Sequence, residues 1–292
     1  MAKIICEIAS PSLTWSEDRI QDWVSQTCAL LKRQGVDTIN LAEVIDEKRE
    51  GSRCIEFVPK MDNIKFAEML HQHLPRLVSI LCKISTHVPK EQFAQWIRLA
   101  HQHGIRNIVV VGSMHQDLSG RSYTVAEAGH YIKEHFPDIK VGGIIIFSRA
   151  GEALRVVEKL ENGIDFFLSQ IIFETSNLKQ VMLELKKHCS DKDILLPHVY
   201  VGLAPAAKRK DIEFLRWLGI EFPSAVLSYL TSSDDGVEER TFEVVERVLD
   251  EVIDFSHAMS IPLGFNIEHI MYGNLSLGER LISTVKSRMA YL

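Results

Sequence analysis

Gly151-Glu-Ala-Leu-Arg-Val-Val-Glu-Lys-Leu-Glu-Asn-Gly163-Ile-Asp-Phe-Phe-Leu-Ser-Gln170 decides how the rest of the chain is read. Ala153, Val156, Val157 and Leu160 recur at helical spacing, so Gly151–Asn162 is expected to be an amphipathic helix. Gly163 ends it, because glycine adopts the left-handed backbone cheaply and lets a strand begin at once. The short apolar run Asp165–Ser169 is then a strand.

The same unit repeats in both directions. Toward the N-terminus, strands are expected at Ile4–Ala9, Thr38–Leu41, Leu77–Lys83, Asn107–Val111 and Lys140–Ile146. Helices at about Glu17–Arg33, Asn63–Leu74, Pro89–His103 and Thr124–His135 separate them. Toward the C-terminus, Val199–Leu203 and Gly264–Ile267 are strands. Helices are expected at Asn177–His188, Lys208–Leu218, Ser224–Leu230, about Gly236–Met259 and Leu277–Ala290. Eight strand-then-helix units imply a parallel sheet and suit a closed (β/α)8 TIM barrel, an α/β fold, with residues 1–292 as one domain. The longest irregular stretch, Asp46–Lys60, follows the second strand and is expected to be an active-site loop.

Composition narrows the function. The chain has 292 residues, 46% of them hydrophobic and 25% charged, with a net charge of −6. An acidic balance argues against nucleic-acid and anionic-membrane partners. The five cysteines, Cys6, Cys28, Cys54, Cys82 and Cys189, are scattered and form neither a disulfide framework nor a zinc motif. With no signal-like N-terminus and no membrane-length apolar run, a cytoplasmic protein is expected. His71-Gln-His73 and His101-Gln-His103 lie on expected helices, where residues two apart face different ways, so no metal site is expected. No GxGxxG occurs, so any dinucleotide is not held on a Rossmann turn.

In a barrel of this kind the active site forms at the C-terminal ends of the strands. Those ends offer Glu7, Ser10 and Ser12; Asn40 and Glu43; Lys83, Ser85 and Thr86; Gly112, Ser113 and His115; Arg149; Ser169 and Gln170; Tyr200 and Gly202; and Asn266, Glu268 and His269. Glu7 stands out, because a carboxylate within Ile4-Ile-Cys-Glu-Ile-Ala9 is costly to bury unless it is used or paired. A raised pKa would make it an acid near neutrality; an ion pair inside the barrel, for instance with Lys83, is the equal alternative. The Gly112-Ser-Met-His115 loop could cradle phosphate or be a tight turn. Gly142-Gly143 marks a close approach by a flat ring system or by a bulky neighbouring side chain.

Three stretches resemble the methylenetetrahydrofolate reductase family: Ile5-Cys-Glu7-Ile-Ala-Ser-Pro11; Val141-Gly-Gly143 followed by Gly151–Glu174; and Tyr200-Val-Gly202-Leu-Ala-Pro205. Val125-Ala-Glu-Ala and Gly264-Phe-Asn-Ile-Glu-His269 also fit, and the likeness covers nearly the whole chain. The resemblance implies reduction of 5,10-methylenetetrahydrofolate to 5-methyltetrahydrofolate, with NADH or NADPH as donor and FAD as carrier. By position, Glu7 would be the acid that opens the methylene bridge. Gln170, Tyr200 and Glu268 would bind the substrate. Lys83, Gly112, Ser113, His115, Tyr123, Thr124, Gly143 and Arg149 would hold the cofactor. The partner implied is a small-molecule folate, and a homo-oligomer stays open.

The chain also departs from the family. Gly112-Ser-Met114 stands where Arg-Gly-Asp is usual, Leu81 or a neighbour replaces a histidine, and Ile144-Ile-Ile replaces Tyr-Pro-Glu. Three alternatives therefore remain beside the flavoenzyme: a flavin-free folate reductase, a non-redox pterin-binding or methyl-transfer protein, and an inactive scaffold.

Overall fold

The computed structural model describes residues 4–46, 49, 51, 53–112, 121–269 and 271–290. Eight parallel strands close on themselves in sequence order. They are β1 (Ile4–Glu7), β2 (Thr38–Leu41), β3 (Val78–Ile84), β4 (Asn107–Val111), β5 (Lys140–Ile145), β6 (Phe166–Ile171), β7 (His198–Leu203) and β8 (Leu263–Glu268). The helices are α1 (Glu17–Gln34), α2 (Asn63–His73), α3 (Lys90–Gln102), α4 (Val125–His135), α5 (Glu152–Glu161), α6 (Ser176–Asp191), α7 (Arg209–Trp217), α8 (Ser224–Leu230), α9 (Val237–Met259) and α10 (Leu275–Ala290). The expected (β/α)8 barrel is therefore the observed fold. None of the described helices is long and apolar enough to cross a membrane.

Local chemistry places the element ends. Gly163 has φ 87° where α5 gives way to β6, so a side chain there would be strained. Thr124 and Glu127 form a reciprocal capping box that starts α4. Among the ends that differ from expectation, two shape the site. β1 stops at Glu7 rather than Ala9, with the Ile8 amide making the last ladder bond, to the Asn40 carbonyl. β6 runs on to Ile171 through an irregularity after Leu168.

Strand alternation divides the apolar residues into two cores. The larger lies between the strands and the helices. The smaller fills the barrel with Ile5, Ile80, Cys82, Val109, Phe166, Leu168 and Tyr200. Phe166 needs the gap left by Gly142: a Cβ there would sit 2.6 Å from the phenyl Cζ and 2.7 Å from Val109 Cγ2. Of the two readings of Gly142-Gly143, the bulky neighbouring side chain is the one observed. Gly143 faces the other core, where its missing Cβ would meet Phe167 and Ile164.

Candidate active site at the barrel mouth

The register of β1 against its neighbours sets Glu7 level with Asn40 on β2 and Glu268 on β8. The Glu7 Oε2 accepts hydrogen bonds from Asn40 Nδ2 at 2.6 Å and from Asn266 Nδ2 at 2.8 Å. Asn266 Nδ2 also reaches Glu268 Oε1 at 3.2 Å, so one amide bridges two carboxyl groups. The Cys82 thiol donates to Asn40 Oδ1 at 3.2 Å and turns that amide's NH2 toward Glu7. Burial holds the Cys82 pKa well above its ordinary value, which keeps the thiol a donor.

Burial is also the largest influence on both acids. It raises the Glu7 pKa against the opposing pull of the two asparagine amides. It raises Glu268 well above the ordinary glutamate value, and the neighbouring Glu7 pushes in the same direction. Two carboxyls sharing one donor in a poorly solvated pocket resist double ionisation, so a proton is retained. The alternative pairing of Glu7 with Lys83 does not occur. Lys83 points out of the barrel, where Glu43 binds its ammonium and the Trp96 ring lies 5.2 Å away.

Glu7 and Glu268 line a cavity of about 300 Å³. His269 closes one side of it, its ring tilted against Trp23 at 5.8 Å. Burial lowers the His269 pKa to about 4, so the ring is neutral. Its Nε2 is buried without a hydrogen-bond partner. The rest of the lining comes largely from the stretch expected as an active-site loop, together with α7. It contributes Arg53, Ile55, Val58 and Lys60 from the loop and Phe214 and Trp217 from the helix.

Gln170 lies on the same rim as Glu7, in an adjoining cavity of about 250 Å³, and Ile171 borders both spaces. The β6 irregularity explains its position. Ser169 Oγ accepts from the Gly202 amide at 2.9 Å and donates to the Gln170 carbonyl at 2.6 Å, taking over a ladder contact. Gly202 is required there, since a Cβ would lie 2.9 Å from Glu268 Oε1 and 3.0 Å from the Gln170 carbonyl oxygen. The backbone of β6 and the Glu268 carboxyl thus close on one another over a bare glycine.

Other sequence candidates are placed elsewhere. Tyr200 is in the filled barrel interior, 3% exposed, with its ring against Phe166 and His198. It lines neither cavity, because it sits one inward-facing position below Gly202 on β7. Tyr123 stacks on Tyr131 at 5.3 Å, and Thr124 is used as the α4 cap. Arg149 is exposed and lies 3.8 Å from the buried Glu152 carboxylate, which Arg155 and Lys159 also approach. Gly112 packs near Val125 at the end of β4. Ser113 and His115 lie outside the described residues. Of the described side chains that the resemblance assigns to a flavin, Lys83, Tyr123 and Thr124 are engaged by neighbours within the chain, and Arg149 is exposed beside Glu152.

The sequence reading passed over Arg53 and Lys60, although it singled out their loop. Nothing in the local pattern of that loop separates a cavity-facing cation from a solvated one. Asn40, Asn266 and His269 stand on the list of strand ends, but their link to Glu7 depends on register across β1, β2 and β8.

Comparison with known proteins gives these residues a setting. A solved structure of an uncharacterized protein from Clostridium thermocellum that binds two copies of 5-methyl-5,6,7,8-tetrahydrofolic acid superimposes with a TM-score of 0.80. It is 17% identical over 99% of this chain and 96% of that one, which establishes a shared fold. A structure from Coccidioides immitis, assigned as a deoxyribose-phosphate aldolase, reaches a TM-score of 0.44 at 15% identity over 73% of this chain and 77% of that one, too distant to carry an argument. No curated protein matches the chain. The sequence profile described as mycobacterial methylenetetrahydrofolate reductase matches residues 29–273, and by that match the chain belongs to this family.

Proposed function

We propose that the protein reduces 5,10-methylenetetrahydrofolate to 5-methyltetrahydrofolate, with hydride supplied directly by NADH or NADPH. The observation that carries this reading is the pair of carboxyl groups, Glu7 and Glu268, held by one asparagine at the mouth of the barrel. The reaction needs a proton and a hydride. Protonation at N10 breaks the bond from that nitrogen to the bridging carbon and leaves an N5 iminium. Hydride adds to the iminium carbon and gives the methyl group. A reduced nicotinamide supplies the hydride and leaves oxidised.

Glu7 supplies the proton, because burial favours its neutral form. Once it has donated, its charge is held by the amides of Asn40 and Asn266. A neutral Glu268 beside it keeps that charge tolerable. The unpartnered Nε2 of neutral His269 is an acceptor suited to a pterin N–H. Gln170 offers an amide from the adjoining rim.

A direct route is favoured over a flavin relay by the engagement of Lys83, Tyr123 and Thr124 with neighbours within the chain. The resemblance alone would call for FAD. A non-redox reading, in which the barrel only binds a methylated folate, draws on the folate-binding structural neighbour.

One experiment separates the three. Purified protein is examined by absorbance with and without added FAD, and then assayed for NADH or NADPH oxidation with methylenetetrahydrofolate. A colourless protein that oxidises nicotinamide only when the folate is present is the expected result. A requirement for FAD would restore the flavin route. Folate binding without nicotinamide oxidation would leave the non-redox reading.

A further inference from the structure

The lining of the cavity that holds the carboxyl pair also carries a charge that the proposed chemistry does not use. The Arg53 guanidinium lies among three rings, with its carbon 4.8 Å from the centroid of Trp217, 5.3 Å from Phe57 and 5.8 Å from Phe214. Its side chain is 18% exposed. Its Nε and Nη1 are buried without a hydrogen-bond partner. The Asp46 carboxylate comes no nearer than 3.7 Å to Nη1 and is itself largely exposed.

Lys60 borders the same cavity with its ammonium 4.6 Å from the Tyr272 ring. Burial and repulsion from Arg53 pull its pKa below the usual lysine value. The other acids on this wall do not answer the two cations: Glu43 is bound to Lys83 and to the Ile84 amide, and Glu56 is exposed.

Buried guanidinium nitrogens without acceptors are unusual, since such groups are normally satisfied. A guanidinium on a cavity wall is matched by a carboxylate, its charge-assisted hydrogen-bond partner. The flanking rings suit a flat aromatic group beside it. The one cavity therefore holds proton-storing carboxyls, aromatic rings and two cations. We infer that Arg53, backed by Lys60, binds a carboxylate at the far end of the substrate, the acidic tail that a folate carries on its aminobenzoyl ring. The inference rests on the folate reading above and adds a specificity site to it.

Calorimetry on wild-type protein and Arg53→Gln tests it with three ligands: tetrahydrofolate, a tetrahydropterin lacking the aminobenzoylglutamate tail, and NADPH. Arg53→Gln is expected to weaken tetrahydrofolate by about tenfold or more and to leave the tailless pterin and NADPH unchanged. Equal loss for both pterins, or no loss for either, would overturn the tail site while leaving folate binding intact. A loss confined to NADPH would assign the cations to nucleotide phosphate and overturn it as well. Failure of wild-type protein to bind either pterin would remove the folate reading itself. Should Arg53→Gln not fold, Lys60→Gln gives the same discrimination, with a smaller loss confined to the tailed ligand.

Discussion

Two glutamates, bridged by Asn266 and walled by a neutral histidine, make the barrel mouth a place where a proton is stored. The sign of the pH dependence follows. Both acids have native pKa values raised above 4.5, so the folded protein holds these protons more tightly than the unfolded chain. Their contribution to stability is complete below about pH 4.5 and is lost as pH rises through the raised native values. Glu268→Gln removes one of these groups and the like charge next to Glu7. Its melting temperature is expected to exceed that of wild type at about pH 8 and to match it at about pH 4. The basic limb of its activity profile is expected to stay at the wild-type pH, since Glu7 ionises beside a neutral Glu268 in wild type as well. Thermal melts and kcat profiles across that range check both statements. An unchanged alkaline melting temperature would mean that the two carboxyls do not interact.

Among the elements, β5, β6 and β7 show how backbone shape makes the site. Gly142 on β5 leaves the space that the Phe166 ring fills inside the barrel. Gly142→Ala forces a Cβ into that ring and is expected to destabilise the protein by about 1–3 kcal/mol, read from denaturant unfolding. A neutral result would mean that Phe166 can move without cost. The irregularity on β6 after Leu168 was not legible in the sequence, because Ser169 and Gln170 look like ordinary strand-end residues. Only the pairing with β7 shows Ser169 Oγ replacing a ladder contact and Gln170 displaced to the rim. Strand and helix boundaries were largely legible, since the apolar periodicity and the glycine stops are local signals. Gly163 with its left-handed φ is the plainest case.

For the molecule as a whole, eight alternating units were enough to imply the closed parallel barrel, and the barrel was enough to put the site at the strand ends. What alternation could not supply was height and facing along each strand. Lys83 and Tyr200 are both near C-terminal strand ends, yet one points outward to Glu43 and the other lies a layer too deep. Glu7 was legible because a lone acid in an apolar strand is anomalous in itself. Its partners were not, since Asn40 and Asn266 are brought to it by closure of β1 between β2 and β8. Arg53 was hidden for a similar reason, because an arginine in a polar loop looks solvated until α7 is packed against it.

The central claim, that Glu7 is the proton donor to bound folate, is tested most directly by the Glu7→Gln variant. Folate-dependent NADH or NADPH oxidation and folate affinity are measured on the same preparation. Glutamine keeps an oxygen acceptor for Asn40 and Asn266, so a folded protein with folate affinity near wild type is expected. Its turnover should fall by about 10²–10⁴. Turnover close to wild type with folate still bound would contradict the assignment of Glu7 as the acid.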